Sequence, residues 1–182
     1  RLRRVDDHTE HAAIDEVLAV LTGGGTVAVV TDAGTPGISD PGARLVNAAA
    51  AEGHTVTAVP GPAAFVMALV VSGLPTDRFV FEGFLPRSGG ERAARLSDVA
   101  SERRTIVLYE APHRIARTVD DLARVCGHDR RVALCRELTK LHEEIWRGTL
   151  ADAAAHLAQR EPLGEFVVVL DGAPEAAPAS DD

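Results

Sequence analysis

The chain has 182 residues, 46% of them hydrophobic and 25% charged, which is enough apolar material for a real core and an ordinary globular mix of one domain or two small ones. Its 19 basic and 27 acidic side chains leave a net charge of −8, so total charge does not suggest a general polyanion binder. Two cysteines, Cys126 and Cys135, exclude a disulfide framework and fit a reducing, cytoplasmic setting; no apolar run is long enough to span a bilayer, and no apolar stretch follows Arg1-Leu2-Arg3-Arg4 to make a signal peptide.

Apolar Ala13, Ile14, Val17, Leu18 and Leu21 recur near helical spacing and predict a helix over 10–21, ended by Gly23-Gly24-Gly25. Residues 26–31, Thr-Val-Ala-Val-Val-Thr, are β-branched and apolar, the pattern of a strand covered on both faces in a parallel sheet. A loop follows from Asp32 to Gly37, then Asp40 as a helix N-cap with Pro41 at the first helical position, and a helix that stops at Gly53. A second strand over 55–59, the sharp loop Pro60-Gly61-Pro62 and an apolar helix over 63–72 complete a β-loop-α-β-loop-α order, the grammar of a parallel α/β sheet. Leu74-Pro75-Thr76-Asp77 reads as a hinge. Beyond it, strands are predicted at 79–84, 105–109, 131–136, 143–147 and 166–170, and helices at 91–100, 112–125 and 151–159. The strands at 131–136 and 143–147 are close enough in sequence to pair antiparallel, so the second domain is mixed α/β. The Ala/Pro/acid tail from Gly172 reads as disordered.

Charge is uneven along this order. Residues 1–75 carry 4 basic and 8 acidic groups, whereas residues 76–172 carry 15 and 16, so the second domain is nearly neutral and rich in arginine. The first loop, residues 31–42, contains no lysine or arginine and is no triphosphate-binding loop. Both loops sit at the carboxyl ends of predicted strands, where open α/β sheets bind ligands. Asp32 at such a strand end suits a ribose hydroxyl, an ammonium or a sulfonium; two tight turns that merely need glycine and proline explain the same residues. His8 and His11 read as a solvated helix start rather than a metal site, and the two cysteines as structural thiols. Glu110 and His113 fall at a strand-to-helix junction, a place for either a site or a cap. Charged residues crowd Cys135-Arg136-Glu137-Leu138-Thr139-Lys140 at another strand end, as a site or as a salt-bridged turn.

Six segments stand together in order: T-D-A-G-T-P-G-I-S-D-P-G from Thr31, V-P-G-P-A-A from Val59, S-G-L-P-T-D-R-F-V-F-E-G-F-L-P from Ser72, Y-E-A-P-H-R from Tyr109, C-R-E-L-T-K-L-H-E-E from Cys135 and L-G-E-F-V-V-V from Leu163. In this combination the chain resembles the ribosomal RNA small subunit methyltransferase I family, cytidine 2′-O-methyltransferases of the tetrapyrrole methylase superfamily. The resemblance implies a two-domain α/β fold: a parallel N-terminal domain over 1–75, a mixed C-terminal domain over 76–172 and a tail over 173–182. It implies S-adenosylmethionine in the cleft between the domains, small-subunit ribosomal RNA as substrate, and a homodimer. Carried over by motif, the cofactor residues are Val30, Thr31, Asp32, Thr35, Ala63, Ala64, Glu110, Leu138 and Gly164. Glu137, Lys140 and His113 are candidates to accept the proton of the hydroxyl, and Arg87, Arg92, Arg95, Arg114 and Arg136 to grip RNA. The family's opening strand, Pro-rich loop and following helix have no counterpart here, and the chain has no initiator Met, so the resemblance predicts a first domain cut at its start. A tetrapyrrole methylase of the same superfamily and a non-catalytic binding module are the competing readings.

Overall fold

The computed structural model describes residues 2–6 and 9–175; His8 and the tail beyond Glu175 lie outside the described residues. The architecture is mixed α/β, as the sequence predicts, and divides into two units, residues 1–63 and 64–182. No helix among the described residues is long and apolar enough to cross a membrane.

The first unit is built on α1 (Glu10–Thr22) and α2 (Ala43–Ala51), which pack together through buried Ala13, Leu45 and Ala49. Asp40 does not cap α2. Its carboxylate instead accepts from the Thr31 hydroxyl at 3.0 Å, and Gly42 holds the N-cap position with no side-chain cap of its own. The cap comes from α1. Glu10 is buried, and its Oε1 accepts the backbone N–H groups of Gly42 at 2.9 Å, Arg44 at 3.0 Å and Leu45 at 3.4 Å. A carboxylate there satisfies the orphan donors of the first turn and lies at the positive end of the helix dipole. Residues 26–31 and 55–59 form no strand ladder, which corrects the two strands predicted in this unit. Val30 is 76% and Val59 91% exposed. β-branched composition favours a strand only where a neighbouring strand takes up its backbone groups, and among the described residues these segments have none.

In the second unit every predicted element is present, within a few residues of its expected ends. α3 (Ala64–Ser72) is followed by β1 (Phe79–Phe84), α4 (Gly89–Ser101), β2 (Thr105–Glu110), α5 (Pro112–Cys126), β3 (Arg131–Arg136), β4 (Glu144–Thr149), α6 (Leu150–Leu157) and β5 (Phe166–Leu170). The sheet order is β1-β2-β5-β3-β4. β1 and β2 are parallel, and the other three pairings are antiparallel, including the β3–β4 pair expected from its spacing. Central β5 is buried at all five positions, which is why it reads as an unbroken apolar run. Strand alternation splits the core in two. Ile106, Leu108, Leu134, Val168 and Leu170 pack toward α4, α5 and α6. Val107, Ala133, Cys135, Val167 and Val169 pack with Ala68 and Leu69 of α3. Because α3 belongs to this core, the division of the chain precedes it rather than falling at Leu74–Asp77. That segment is tied down: Leu74 N–H donates to the Ser72 hydroxyl at 3.0 Å, and Thr105 Oγ1 donates to the Pro75 carbonyl at 2.7 Å. The beginning of the predicted disordered tail is also tied, through Ala173 N–H to the Glu102 carbonyl at 2.7 Å and an Arg103–Glu175 ion pair at 2.8 Å.

Candidate functional site

Register places the sequence-distant candidates at one end of this sheet. Glu110 at the end of β2 pairs with Phe166, which pairs in turn with Arg136 at the end of β3, opposite Glu144. Phe84 of β1 pairs with Tyr109 at the same end. The carboxyl ends of β1, β2 and β3 therefore meet the amino ends of β4 and β5. Arg87, Glu110, His113, Arg136, Glu137, Leu138, Lys140 and Gly164 lie on or just beyond them.

After β3 the chain turns sharply, with positive φ at Glu137 (49°) and Thr139 (65°). The turn directs Glu137 against the loop before β5. Glu137 Oε1 accepts from Lys140 Nζ and from Glu165 N–H, both at 2.9 Å, and Lys140 Nζ also reaches Glu165 Oε2 at 2.8 Å. Gly164, with φ +84°, makes room for this contact: a Cβ there would come within 2.5 Å of Glu137 Cγ. The Glu165 amide and the Lys140 ammonium hold the Glu137 carboxyl below its ordinary pKa. The Glu165 and Glu137 carboxylates raise that of Lys140. Both groups are therefore charged near neutral pH, and Lys140 is in the wrong protonation state to act as a base. His113, at the start of α5, is exposed.

Glu110 points to the opposite sheet face, toward α5. It accepts from the Thr118 hydroxyl at 2.6 Å and from Ala111 N–H at 2.9 Å, and pairs with Arg114 at 3.2 Å. Arg92 extends this buried network. It is 4% exposed, donates to Asp121 from Nε at 3.0 Å and from Nη2 at 2.7 Å, and also bonds Thr118 and the Pro86 carbonyl. Arg92 is thus a core ion-pair residue and has no face for RNA, which corrects the sequence expectation. Arg114 is largely committed as well, through the Leu85 carbonyl at 2.7 Å. Arg95 pairs with Glu82 at 2.5 Å but remains half exposed, Arg136 donates to Glu144 at 3.2 Å, and Arg87 is exposed.

On the α3 face, Ala64 and Leu138 both pack on the core formed by Ala68, Val107 and Cys135. Burial pushes the Cys135 thiol up to about 11. An aromatic row that no side-chain spacing in the sequence marks lies beside them. Phe65 lies 4.7 Å from Phe81, Phe81 lies 5.0 Å from Tyr109, and Tyr109 lies 5.6 Å from Phe84. A bulge produces it. Register moves from Phe81↔Val107 to Gly83↔Leu108, with Gly83 at φ +61°, so Phe84 comes opposite Tyr109 instead of facing away. Phe84 is 50% exposed at the sheet end.

In the first unit, Thr35 Oγ1 donates to the Pro62 carbonyl at 2.8 Å and fastens the two predicted ligand loops to each other. Asp32 is exposed, Thr31 is held by Asp40, and Ala63 is half buried. Neither loop brings a cation: residues 31–42 and 60–64 hold no lysine or arginine.

The pattern described as Tetrapyrrole (Corrin/Porphyrin) Methylases matches residues 2–154. The chain belongs to this methylase family. Among curated relatives, it is 49% identical over 174 residues to the ribosomal RNA small subunit methyltransferase I of Synechocystis sp., covering 95% of this chain and 62% of that protein. It is 50% identical over 167 residues to that of Mycobacterium tuberculosis (92% and 58%) and 47% identical over 159 residues to that of Thermotoga maritima (87% and 71%). The chain thus spans about three fifths of the length of the first two relatives. Among solved structures, the methyltransferase CobJ shares the fold with a TM-score of 0.65 and 21% identity, over 96% of this chain and 75% of that one. Uroporphyrin-III C-methyl transferase from Thermus thermophilus, complexed with S-adenyl homocysteine, does so with a TM-score of 0.58 and 20% identity, over 89% and 73%.

Two features of this sheet end lie outside the motif residues carried over from the sequence: the exposed Phe84 and the Glu165 carboxylate on Lys140. A Gly-containing F-E-G-F strand is the sequence signal for the bulge. Glu165 stands beside Gly164 in L-G-E but carries no pattern of its own.

Proposed function

We propose that the protein is an S-adenosylmethionine-dependent methyltransferase that methylates a cytidine ribose 2′-hydroxyl in small-subunit ribosomal RNA. The observation that carries this reading is the near-50% identity to ribosomal RNA methyltransferases over more than nine tenths of the chain. The tetrapyrrole alternative rests on the description of the matched family and on fold likeness at 21% identity, and one fold serves enzymes of different substrates.

The residues present suit the cofactor. S-adenosylmethionine carries no phosphate, and the joined loops of the first unit bring no cation. Asp32, exposed in the first loop, has the charge to take a ribose hydroxyl or face a sulfonium. Val30, Thr31, Thr35 and Ala63 supply the remainder of that wall. In the second unit, taken by itself, Ala64 and Leu138 offer an apolar surface, and Gly164 leaves room for the Glu137 side chain. When bound, the cofactor supplies an electrophilic methyl group. The protein's task is then to hold the hydroxyl in line with it and to provide somewhere for the proton to go. Lys140, already protonated, orients the Glu137 and Glu165 carboxylates. Glu137 and His113 remain as the candidate acceptors. Of the five candidate arginines, Arg87 and Arg95 keep side chain available to the RNA backbone.

The test is incubation of the protein with methyl-labelled S-adenosylmethionine and small ribosomal subunits from cells lacking the activity. The reading predicts label in the RNA; unlabelled RNA alongside a labelled tetrapyrrole would support the alternative instead.

A further inference from the structure

A second feature of the same sheet end lies on the face away from α3. Here β3, β4, the end of α6 and the loop before β5 enclose a cavity of about 140 Å³. An apolar cavity of about 150 Å³ holds one benzene ring, so this volume suits a single six-membered ring better than a fused pair. Trp146, Phe166, Leu134, Leu157 and Pro162 supply flat and apolar walls. The Trp146 ring is held in place. It lies across Gly148, where a Cβ would come within 2.6 Å of the ring, and it stacks on His156 at 5.1 Å and 19°.

The polar edge is equally defined. Glu144 accepts from Arg136 Nη1 at 3.2 Å, is bonded by Arg160, and faces His156 Nε2 at 3.3 Å. Arg136 Nε is buried and has no hydrogen-bond partner among the described residues. Two arginines against Glu144 and Glu161 leave the lining charge near balance, so the site does not select for an anion. It offers aromatic walls, guanidinium donors and a carboxylate acceptor. Those groups match a cytosine: a ring to stack, a carbonyl and ring nitrogen to accept, and an exocyclic amine to donate to a carboxylate. Single-stranded RNA is read in this way, by unstacking bases onto aromatic side chains and bonding their edges.

We propose that this cavity binds one unstacked pyrimidine base of the RNA substrate, with Glu144 selecting cytosine. The proposal rests on the RNA reading given above, and it adds a base-reading pocket to it. Trp146 is the chain's only tryptophan, so its fluorescence reports the pocket directly. Titration with cytidine monophosphate should quench the emission saturably, adenosine monophosphate should act more weakly, and inorganic phosphate should have no effect. Glu144→Gln should weaken cytidine monophosphate at least tenfold and shift preference toward uridine monophosphate, because an amide can donate to the uracil carbonyl. A merely structural Glu144 would not produce that switch. If Glu144→Gln melts well below the wild type, Arg160→Ala, at an exposed position, carries the affinity test instead. An equal response to phosphate, or an unchanged Trp146 emission with cytidine monophosphate, overturns the proposal. If the RNA is methylated and the emission does not change, the pocket fails and the methyltransferase reading stands. If the cytidine response and its Glu144→Gln switch are present but no RNA is methylated, the pocket stands and that reading fails.

Discussion

Replacing Gly164 by alanine tests how the Glu137 cluster is held. The new Cβ would come within 2.5 Å of Glu137 Cγ, 2.7 Å of Cδ and 2.8 Å of Oε1, so the Glu137 side chain must leave its position. Its departure breaks the bonds from Lys140 and Glu165 N–H. Alanine at φ +84° also pays left-handed strain of about 1 kcal/mol. Loss of the partly exposed charge-assisted bonds adds about 1–2 kcal/mol, at the low end for bonds to a charged group. The sum, about 2–3 kcal/mol, corresponds to a fall in Tm of roughly 5–10 °C for a chain of this size. Thermal unfolding by circular dichroism measures it, and labelled methyl transfer on the same samples should fall well beyond the loss of folded protein. Gly90→Ala is the control, because nothing lies within 4 Å of its added Cβ; it should leave both readouts close to wild type. A Gly164→Ala protein with wild-type Tm and transfer rate would refute the role given to this contact.

Glu10→Ala should cost about 1–2 kcal/mol as the lost cap of α2, seen as faster hydrogen exchange at Gly42, Arg44 and Leu45. Unchanged exchange would show that Glu10 is not the cap. Arg92→Met should destabilise by about 3 kcal/mol or more, because it strips the main partner from buried Asp121. Arg87→Ala should leave Tm unchanged and weaken RNA binding; the reverse pattern in filter-binding and melting would contradict the assignment of the two arginines. The Arg104 guanidinium lowers the Glu102 carboxyl from 4.5 to about 2. A depressed folded pKa contributes stability that is present above pH 4.5 and lost as pH falls through about 2. Glu102→Gln should therefore lie below the wild type in a plot of Tm against pH above 4.5 and converge with it near pH 2; parallel curves would contradict the pairing.

The second unit was legible in the sequence because each element there satisfies its own local rule. β5 is a short apolar run bounded by Gly164 and Gly172, and α5 opens on Pro112 and ends at Gly127. The first unit was less so for a physical reason. The segments 26–31 and 55–59 have strand composition, but a strand is completed by its neighbour, which composition does not report. The cap of α2 was misplaced for the same kind of reason: Asp40 is adjacent in sequence, whereas Glu10 arrives through packing. Among the arginines, Arg87 and Arg92 look alike in sequence and differ only in burial, one exposed and one committed to Asp121. The motifs did mark the sheet end, since C-R-E-L-T-K and L-G-E meet there through the Glu137–Lys140–Glu165 contacts. No spacing marks Phe84 or the Trp146–His156 stack, because a bulge and a glycine set their orientation.

The central claim is the methylated atom. Mass spectrometry of nucleosides from small-subunit RNA, after incubation with the protein and S-adenosylmethionine, reads it directly. The account predicts one new 2′-O-methylcytidine per RNA; methyl groups on a base, on another nucleoside or absent altogether would contradict it.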